Sequence, residues 1–192
     1  MNEPLVVSFW TPSYGPYGDK LEESLKRFGI RHSVLEMDSE MSGWSEAVSY
    51  KPKFILSCLE KNPCQDILWV DADAEFKSKP DWSLIDGCDV AWHKFKRSRN
   101  HEAEDLTGTM FFKNTDAVKA LVTSWHAVTP VFQKTFTPEQ DSLKVCFQHS
   151  TLAHKDMPAE WVWIYDDFPT IYGSREPVIV HYQASRVMRF RT

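Results

Sequence analysis

Two aspartates at the end of an apolar run are the residues of this sequence best placed to do chemistry. In the stretch ILWVDADAEF (67–76), four apolar residues precede Asp71 and Asp73, which are separated only by Ala72. Side chains two residues apart on an extended chain point to the same side, so the two carboxylates would lie together. Like charges this close repel each other, and a divalent cation between them would remove that cost. Oxygen ligands suit Mg²⁺ or Mn²⁺.

The alternative interpretation of this pair is two solvated loop acids, because an Asp-x-Asp pattern alone has low specificity. The surrounding elements favour the metal site. The chain opens with an apolar β-rich run over 4–11, a turn-rich loop over 12–18, a helix over 19–29 and a strand over 30–38. This β-loop-α-β order predicts an α/β fold with a mostly parallel sheet. Ligands of such sheets bind at the carboxyl ends of the strands, where Asp71 and Asp73 are expected.

The rest of the chain continues the same alternation. A helix is predicted over 45–62, with Pro52 starting its main part in the first turn, where the missing N–H costs little. The segment 93–105 is polar, and we expect it to be mobile. Further strands are predicted over 67–71, 88–95, 108–115, 161–167 and 177–182, and further helices over 116–128 and 138–149. We find no linker or repeat, so residues 1–192 are predicted to form a single domain.

Composition and charge are those of an ordinary soluble globular protein. Hydrophobic residues make up 42% and charged residues 26% of the chain, and the net charge is -5. This balance argues against a protein held to nucleic acid or membranes by bulk charge. We see no spanning-length apolar stretch and no signal sequence at the start. The four cysteines have no zinc-site spacing, and they favour a reducing compartment, so a cytoplasmic location is expected.

Six segments of the chain, taken in order, resemble one known family. They are FWTPSYGPYGDKLEESLKRFGI (9–30), YKPKFI (50–55), LWVDADAEF (68–76), LTGTMFFKNT (106–115), PEQDSL (138–143) and PVIVHYQASR (177–186). Together they resemble the GT-A-fold glycosyltransferases that use nucleotide-sugar donors, and above all the transferases related to glycogenin and to bacterial lipooligosaccharide galactosyltransferases. The resemblance covers nearly the whole chain and implies a single GT-A domain with a mostly parallel central sheet. One departure is that HYQASR lacks the glycine that the family often has after its histidine.

The resemblance also implies roles for the residues at matching positions. Asp71 and Asp73 correspond to the family's metal-binding pair, and His181 to its C-terminal metal ligand. A histidine beside two carboxylates favours Mn²⁺ over Mg²⁺. His181 taken alone could equally be an ordinary histidine at the end of a strand. The positions that the family places against the nucleotide-sugar donor are Thr11, Tyr14, Lys51, Asp71 and Arg186.

The segment PEQDSL would supply the catalytic residues. Gln140 matches the position beside the reactive sugar carbon in retaining relatives, and Glu139 or Asp141 would bind the sugar hydroxyls. Retention of anomeric configuration is implied by the resemblance alone. Glu139 and Asp141 could instead be acids that complement a helix dipole, and Gln140 a helix-surface glutamine. The transition state of sugar transfer is oxocarbenium-like, so the implied site would act mainly by positioning and by stabilising charge on the departing diphosphate.

A basic run lies in the polar segment HKFKRSRNH (93–101), and we consider it a candidate acceptor site. Its cations are Lys94, Lys96, Arg97 and Arg99. They could form a solvated loop that Glu102, Glu104 and Asp105 balance. They could also bind a phosphate-bearing acceptor, including nucleic acid, as in small phage enzymes that glycosylate modified DNA bases.

Four functions therefore remain open. The first is a metal-dependent glycosyltransferase acting on a sugar, lipid or protein, with a UDP-sugar as the donor that the resemblance implies. The second applies the same donor chemistry to nucleic acid. The third is a nucleotidyltransferase or nucleotide-sugar hydrolase, although the loop TPSYGPYG (11–18) lacks the basic residues expected of a triphosphate site. The fourth is a non-enzymatic binding module.

Overall fold

Two β-sheets and five α-helices make up the fold, in a computed structural model that describes residues 3–97, 102–184 and 186. The strands, in chain order, are β1 (Leu5–Trp10), β2 (His32–Glu36), β3 (Ile67–Val70), β4 (Ala74–Phe76), β5 (Val90–Phe95), β6 (Glu104–Phe112), β7 (His154–Asp156), β8 (Trp163–Ile164) and β9 (Ile179–His181). The helices are α1 (Gly15–Arg27), α2 (Trp44–Lys61), α3 (Asp116–Val128), α4 (Pro138–Gln148) and α5 (Phe168–Tyr172). Within these residues no helix combines the length and apolarity needed to cross a bilayer.

The central sheet has six strands in the order β2-β1-β3-β6-β5-β7. Three of its pairings are parallel, β1 with β2, β1 with β3, and β5 with β7. Strand β6 runs antiparallel to both of its neighbours, β3 and β5. The predicted α/β class with a mostly parallel sheet is therefore confirmed, with β6 as the reversed strand.

Apolar side chains cover both faces of this sheet. Along β3, Leu68 and Val70 point into one core while Ile67 and Trp69 point into the other, as the period of a strand requires. Helix α1 packs in the first core, and α2 and α3 contribute to the second. Burial on both faces explains why β3 reads as a continuous apolar run.

A bulge interrupts the pairing of β5 with β6. Trp92 pairs with Met110, but the next residue, His93, pairs with Leu106. The three intervening residues of β6, Thr107, Gly108 and Thr109, therefore have no partner on β5. Bulges of this kind re-aim side chains, and they are common next to active sites.

A second sheet has three strands in the order β4-β9-β8. Its strand β4 is the next strand after β3 in the chain. In the antiparallel pairing of β4 with β9, Ala74 lies opposite His181. The backbone N–H of Tyr182 also donates to the carbonyl of Asp73 at 3.1 Å. This register brings the end of the chain back to the aspartates that follow β3.

Several local predictions were wrong. The segment 12–18 is not a loop, because Pro12–Tyr14 form a 3₁₀ turn that leads directly into α1. Proline suits such a start, where its missing N–H has no helical partner. Pro52 lies inside α2 rather than in a first turn. The helix continues through it because buried neighbours, including Val48 and Ile55, contribute packing that outweighs one lost hydrogen bond.

Three short elements were missed, and one was predicted too long. Strands β4 and β7, of three residues each, and the five-residue helix α5 carry too little periodicity to be recognised. The strand predicted over 161–167 is only Trp163–Ile164. The segment 93–105, predicted to be a polar mobile run, contains the end of β5 and the start of β6.

Candidate active site

Asp71, Asp73 and His181 form a compact group that we name the DDH cluster. Each of the three residues offers one ligand atom, and these atoms lie within 4.8 Å of one another. Asp71 directly follows β3, Asp73 precedes β4, and His181 is the last residue of β9. The end of one strand and the register of the second sheet thus build the group.

Asp71 is held in place through one of its carboxylate oxygens. Its Oδ1 accepts a hydrogen bond from Trp69 Nε1 at 3.0 Å and lies 2.9 Å from Lys51 Nζ. Lys51 comes from α2 and is only 3% exposed. Its ammonium also donates to the carbonyl of Thr107 at 3.2 Å. Because a buried cation needs a partner, the ion pair fixes both Lys51 and the orientation of Asp71.

Asp73 and His181 are anchored in the same manner. Asp73 Oδ2 accepts from the backbone N–H of Ala184 at 2.8 Å, and Oδ1 lies 3.9 Å from His181 Nδ1. The other ring nitrogen, Nε2, lies 2.9 Å from the hydroxyl of Thr109. When Nε2 carries the proton and donates to Thr109, Nδ1 presents an unprotonated lone pair on the side of Asp73.

The DDH cluster fits a divalent cation. Each of the three side chains has one polar atom engaged by the protein and a second that the protein leaves available, which is how metal ligands are usually oriented. Space is also provided, because Gly108 has no side chain at this point. A Cβ there would lie 3.1 Å from His181 Cε1 and 3.5 Å from Asp71 Oδ2. Carboxylate and imidazole ligands together suit metals such as Mn²⁺ or Zn²⁺ as well as Mg²⁺.

A cavity of about 140 Å³ opens onto the DDH cluster. All three residues of the cluster line it, together with two of the predicted catalytic residues, Glu139 and Gln140, from the first turn of α4. The apolar part of the wall includes Val162 and Ile164. The structure therefore brings five of the predicted site residues to one cavity.

Glu139 is a buried acid, with 4% of its surface exposed. Thr107 Oγ1 donates to its Oε1 at 3.2 Å, while Oε2 has no hydrogen-bond partner among the described residues. Burial raises the pKa of the Glu139 carboxyl above its ordinary value, and the nearby Lys51 ammonium opposes that rise. Asp141 is more accessible and does not line the cavity, and Thr137 Oγ1 is 3.5 Å from its Oδ2.

The remaining predicted donor residues lie outside the cavity wall. Thr11 is buried just after β1, with its hydroxyl 3.3 Å from that of Ser13. Tyr14 ends the 3₁₀ turn, and its ring centroid is 6.0 Å from that of Tyr17. Arg186 forms an ion pair with Asp167 at 3.1 Å. The roles of Thr11, Tyr14 and Arg186 toward a donor stay predictions.

The basic run predicted as an acceptor site lies at and beyond the end of β5. Lys94, Lys96 and Arg97 are exposed, and Arg99 lies outside the described residues. None of these cations lines the cavity within the part of the chain that the structure describes. Their role also stays a prediction.

Several residues of the site were not predicted from the sequence, including Thr107, which contacts Lys51 and Glu139. Trp69, Gly108 and Thr109 support the DDH cluster, and Gln183 lines the cavity. A glycine inside a strand pattern signals a bulge or a close approach, so TGTM (107–110) carried a usable signal. The contacts of Trp69 and Thr109 depend on the register of distant segments, which no local pattern carries.

The fold is a GT-A glycosyltransferase-like fold, as comparison with solved structures shows. One similar structure is a glycosyltransferase involved in the glycosylation of the major capsid of PBCV-1, with a TM-score of 0.71 and 16% identity. That match covers 97% of this chain and 100% of the other. The resemblance stated from the sequence is thereby confirmed for the fold.

Two longer glycosyltransferases are also similar. The bifunctional WbbM structure has a TM-score of 0.63 and 14% identity over 95% of this chain and 46% of its own. GlyE from Streptococcus pneumoniae TIGR4 has the same TM-score and identity over 94% of this chain and 55% of its own. The chain thus spans about half of these two proteins. No protein-family model and no curated protein sequence matches it.

Proposed function

We propose that this protein is a metal-dependent glycosyltransferase that moves a sugar from a nucleotide-diphosphate donor, most simply a UDP-sugar, to an acceptor hydroxyl. One observation carries the proposal. In a glycosyltransferase fold, the DDH cluster shares a cavity with an acid and an amide, Glu139 and Gln140, from a separate helix. A surface pair of loop acids would have neither the buried anchors nor the shared cavity.

Asp71, Asp73 and His181 would hold the cation. When bound, a divalent cation acts as a Lewis acid that stabilises negative charge on the departing diphosphate. The imidazole ligand favours Mn²⁺ over Mg²⁺ in this proposal. Lys51 orients Asp71 through their 2.9 Å ion pair, so that the second carboxylate oxygen is placed for its ligand role.

Glu139 and Gln140 would position the sugar. Glu139 Oε2, which has no hydrogen-bond partner among the described residues, can accept a hydrogen bond from a sugar hydroxyl, since Glu139 lies on the cavity wall. Gln140 can orient the sugar or stabilise developing positive charge with its amide oxygen, but it cannot act as a base. A retaining outcome is part of the proposal, on the resemblance of Gln140 to the glutamine of retaining relatives.

The rest of the donor would be bound beyond the cavity. We assign the nucleotide to Thr11 and Tyr14, and the diphosphate to Arg186, on the resemblance described above. A nucleic-acid acceptor stays a second candidate, because Lys94, Lys96 and Arg97 are exposed and make no ion pair with another described residue.

The test is thermal stability against a panel of nucleotide sugars, with Mn²⁺ and with EDTA. A donor at 100 times its Kd should stabilise the wild type by about 2.7 kcal/mol, and only with metal. Asp73→Ala should abolish that stabilisation, whereas Asp116→Ala, which removes a fully exposed carboxylate, should keep it. Stabilisation that persists in EDTA and in Asp73→Ala would exclude the metal role. Consumption of donor without any acceptor would indicate a hydrolase instead.

A further inference from the structure

Gln183 has a backbone conformation that is unfavourable for its residue type. Its φ is 53°, in the left-handed region. Among the described non-glycine residues only Cys64, with φ of 64°, shares this sign. The left-handed conformation is sterically unfavourable for a residue with a Cβ, which comes too close to the following carbonyl oxygen. Cys64 lies in an exposed turn after α2, where local chain reversal accounts for it. Gln183 lies on the cavity wall instead.

The backbone turn at Gln183 has a clear structural purpose. On one side of it, the N–H of Tyr182 donates to the carbonyl of Asp73 at 3.1 Å. On the other side, the N–H of Ala184 donates to Asp73 Oδ2 at 2.8 Å. The turn therefore lets consecutive segments of the chain grip both the backbone and the side chain of one member of the DDH cluster.

The contacts on either side of the turn explain the left-handed backbone at position 183, but they do not explain why the residue there is glutamine. Glycine adopts a positive φ without steric cost and would make the same turn. Strain of this kind persists mainly at functional sites, where another requirement fixes the residue. No described residue forms a hydrogen bond with the side-chain amide of Gln183, and the residue lines the same cavity as Glu139 and Gln140. The role that fixes a glutamine at position 183 is therefore expected in the cavity.

We infer that Gln183 binds the donor, with its side-chain amide hydrogen bonded to the sugar hydroxyls or the phosphate oxygens. A primary amide offers two donors and one acceptor, which match either group. The inference rests on the proposed function, because it requires a nucleotide sugar in this cavity. It extends that function by adding a specificity residue that the sequence pattern did not indicate.

The experiment compares Gln183→Gly with Gln183→Asn by titration calorimetry, using UDP-glucose, UDP-galactose and UDP alone, each with Mn²⁺. We expect Gln183→Gly to keep or raise the ligand-free Tm, since it relieves the backbone. We also expect it to weaken UDP-sugar binding about tenfold, the loss of one or two hydrogen bonds. Asparagine tolerates the left-handed region and keeps an amide, so Gln183→Asn should stay within about threefold of wild type.

Each outcome of these titrations either supports the role of Gln183 or overturns it. Loss with the UDP-sugars alone places the amide on the sugar, and an equal loss with UDP places it on the diphosphate; both support the inference. Wild-type affinity in Gln183→Gly would overturn it. A ligand-free Tm that falls by several degrees in that variant would also overturn it, because the side chain would then serve the fold. If the wild type binds none of these ligands, the proposed function itself fails and the role of Gln183 fails with it.

Discussion

Two charged regions of this molecule, the DDH cluster and the basic run, are held in opposite ways. Each member of the DDH cluster is fixed by a neighbour, Asp71 by Lys51 and Trp69, Asp73 by Ala184, and His181 by Thr109. In the basic run, Lys94, Lys96 and Arg97 are exposed. Two of the three acids expected to balance that run are engaged elsewhere, since Glu102 pairs with Lys144 at 2.9 Å and Asp105 accepts from Trp92 Nε1 at 2.7 Å.

The difference shows which charges the fold itself organises. Buried charges must be partnered, so their geometry is fixed before any ligand arrives, and such preorganisation is what electrostatic catalysis needs. Exposed cations contribute little to stability and act mainly through screened, long-range attraction. Variants of the first region should therefore change metal and donor binding, and variants of the second should leave both unchanged.

Gly108→Ala should have the largest effect, because it inserts an atom into the DDH cluster. The added Cβ would lie 3.1 Å from His181 Cε1 and 3.2 Å from its Nδ1. We expect Mn²⁺ affinity to fall by about 100-fold, the upper range for changes next to metal ligands. The free energy of unfolding should fall by about 1–3 kcal/mol. Titration calorimetry and urea denaturation measure the two effects.

Gly43→Ala is the matched control, since a Cβ there meets nothing within 4 Å and the backbone is extended. It should leave Mn²⁺ affinity unchanged. A Gly108→Ala protein that binds Mn²⁺ as tightly as the wild type would show that the cation lies elsewhere. The comparison between the two regions would then no longer hold.

Thr109→Val should weaken Mn²⁺ binding about tenfold, because the valine cannot hold the His181 ring through Nε2. Thr109→Ser keeps the hydroxyl and should restore most of the affinity. Nitrogen NMR of the His181 ring supplies a readout that packing alone would not change. It should report the proton on Nε2 in the wild type and in Thr109→Ser. An unchanged tautomer and affinity in Thr109→Val would contradict the anchoring role.

Glu139→Gln should change the pH dependence of stability measured without metal. Burial raises the folded pKa of Glu139 above its unfolded value, so the folded state binds the proton more tightly. The resulting stabilisation is complete below the unfolded pKa, about 4.3, and is lost as pH rises through the folded pKa. Glutamine does not titrate, so the variant should gain stability relative to wild type as pH rises from 4 to 8.

Glu102→Gln is the surface counterpart, and its sign is reversed. A hydrogen bond from Lys144 lowers the pKa of Glu102, so its stabilisation is present at high pH and is lost as pH falls through that lowered value. This variant should lose a little stability at pH 8 and none at acidic pH. Urea denaturation across the pH range tests both variants. Equal signs for the two would contradict the contrast between buried and exposed acids.

The smallest effect is expected from the triple variant Lys94→Ala, Lys96→Ala, Arg97→Ala. Its free energy of unfolding should stay within about 0.5 kcal/mol of wild type per position, as for ordinary surface changes. Donor-dependent stabilisation should not change. Fluorescence anisotropy with a labelled DNA oligonucleotide would show a reduced salt slope if these cations bind phosphates. A loss of donor binding in this variant would contradict the comparison, because it would show that the basic run contributes to the donor site.

The sequence was informative where the pattern is local. The continuous apolar run of β3 and the spacing of Asp71 and Asp73 were enough to predict a carboxylate pair at the end of a buried strand. His181 could be assigned only through family resemblance, because its position depends on the register of Ala74 opposite His181 in two three-residue strands. Such short strands carry almost no periodicity.

Other parts of the site depend on long-range contacts or on backbone conformation. Lys51 was expected to face the donor; the structure pairs it with Asp71 outside the cavity wall, and its role toward the donor stays a prediction. The role of Thr109 requires β6 to lie antiparallel beside β3. The alternation of strands and helices in the sequence does not predict that topology. The left-handed backbone of Gln183 is opposed by its residue type and could not be predicted from it.

The bulge over 107–109 has a consequence for how this chain can change over evolutionary time. Thr107 donates its hydroxyl to Glu139, Gly108 leaves open space beside His181, and the Thr109 hydroxyl contacts the His181 ring. None of these three residues pairs with β5. The ladder is regular on both sides, from Val90 to Trp92 and from His93 to Phe95. Deletion of a bulge residue would therefore leave the β5 pairs on both sides in place while it removes a contact of the DDH cluster or of Glu139, although Thr109 also pairs with Val70 of β3. Deletions in this segment would therefore change the candidate site more than they change the pairing of β5 with β6.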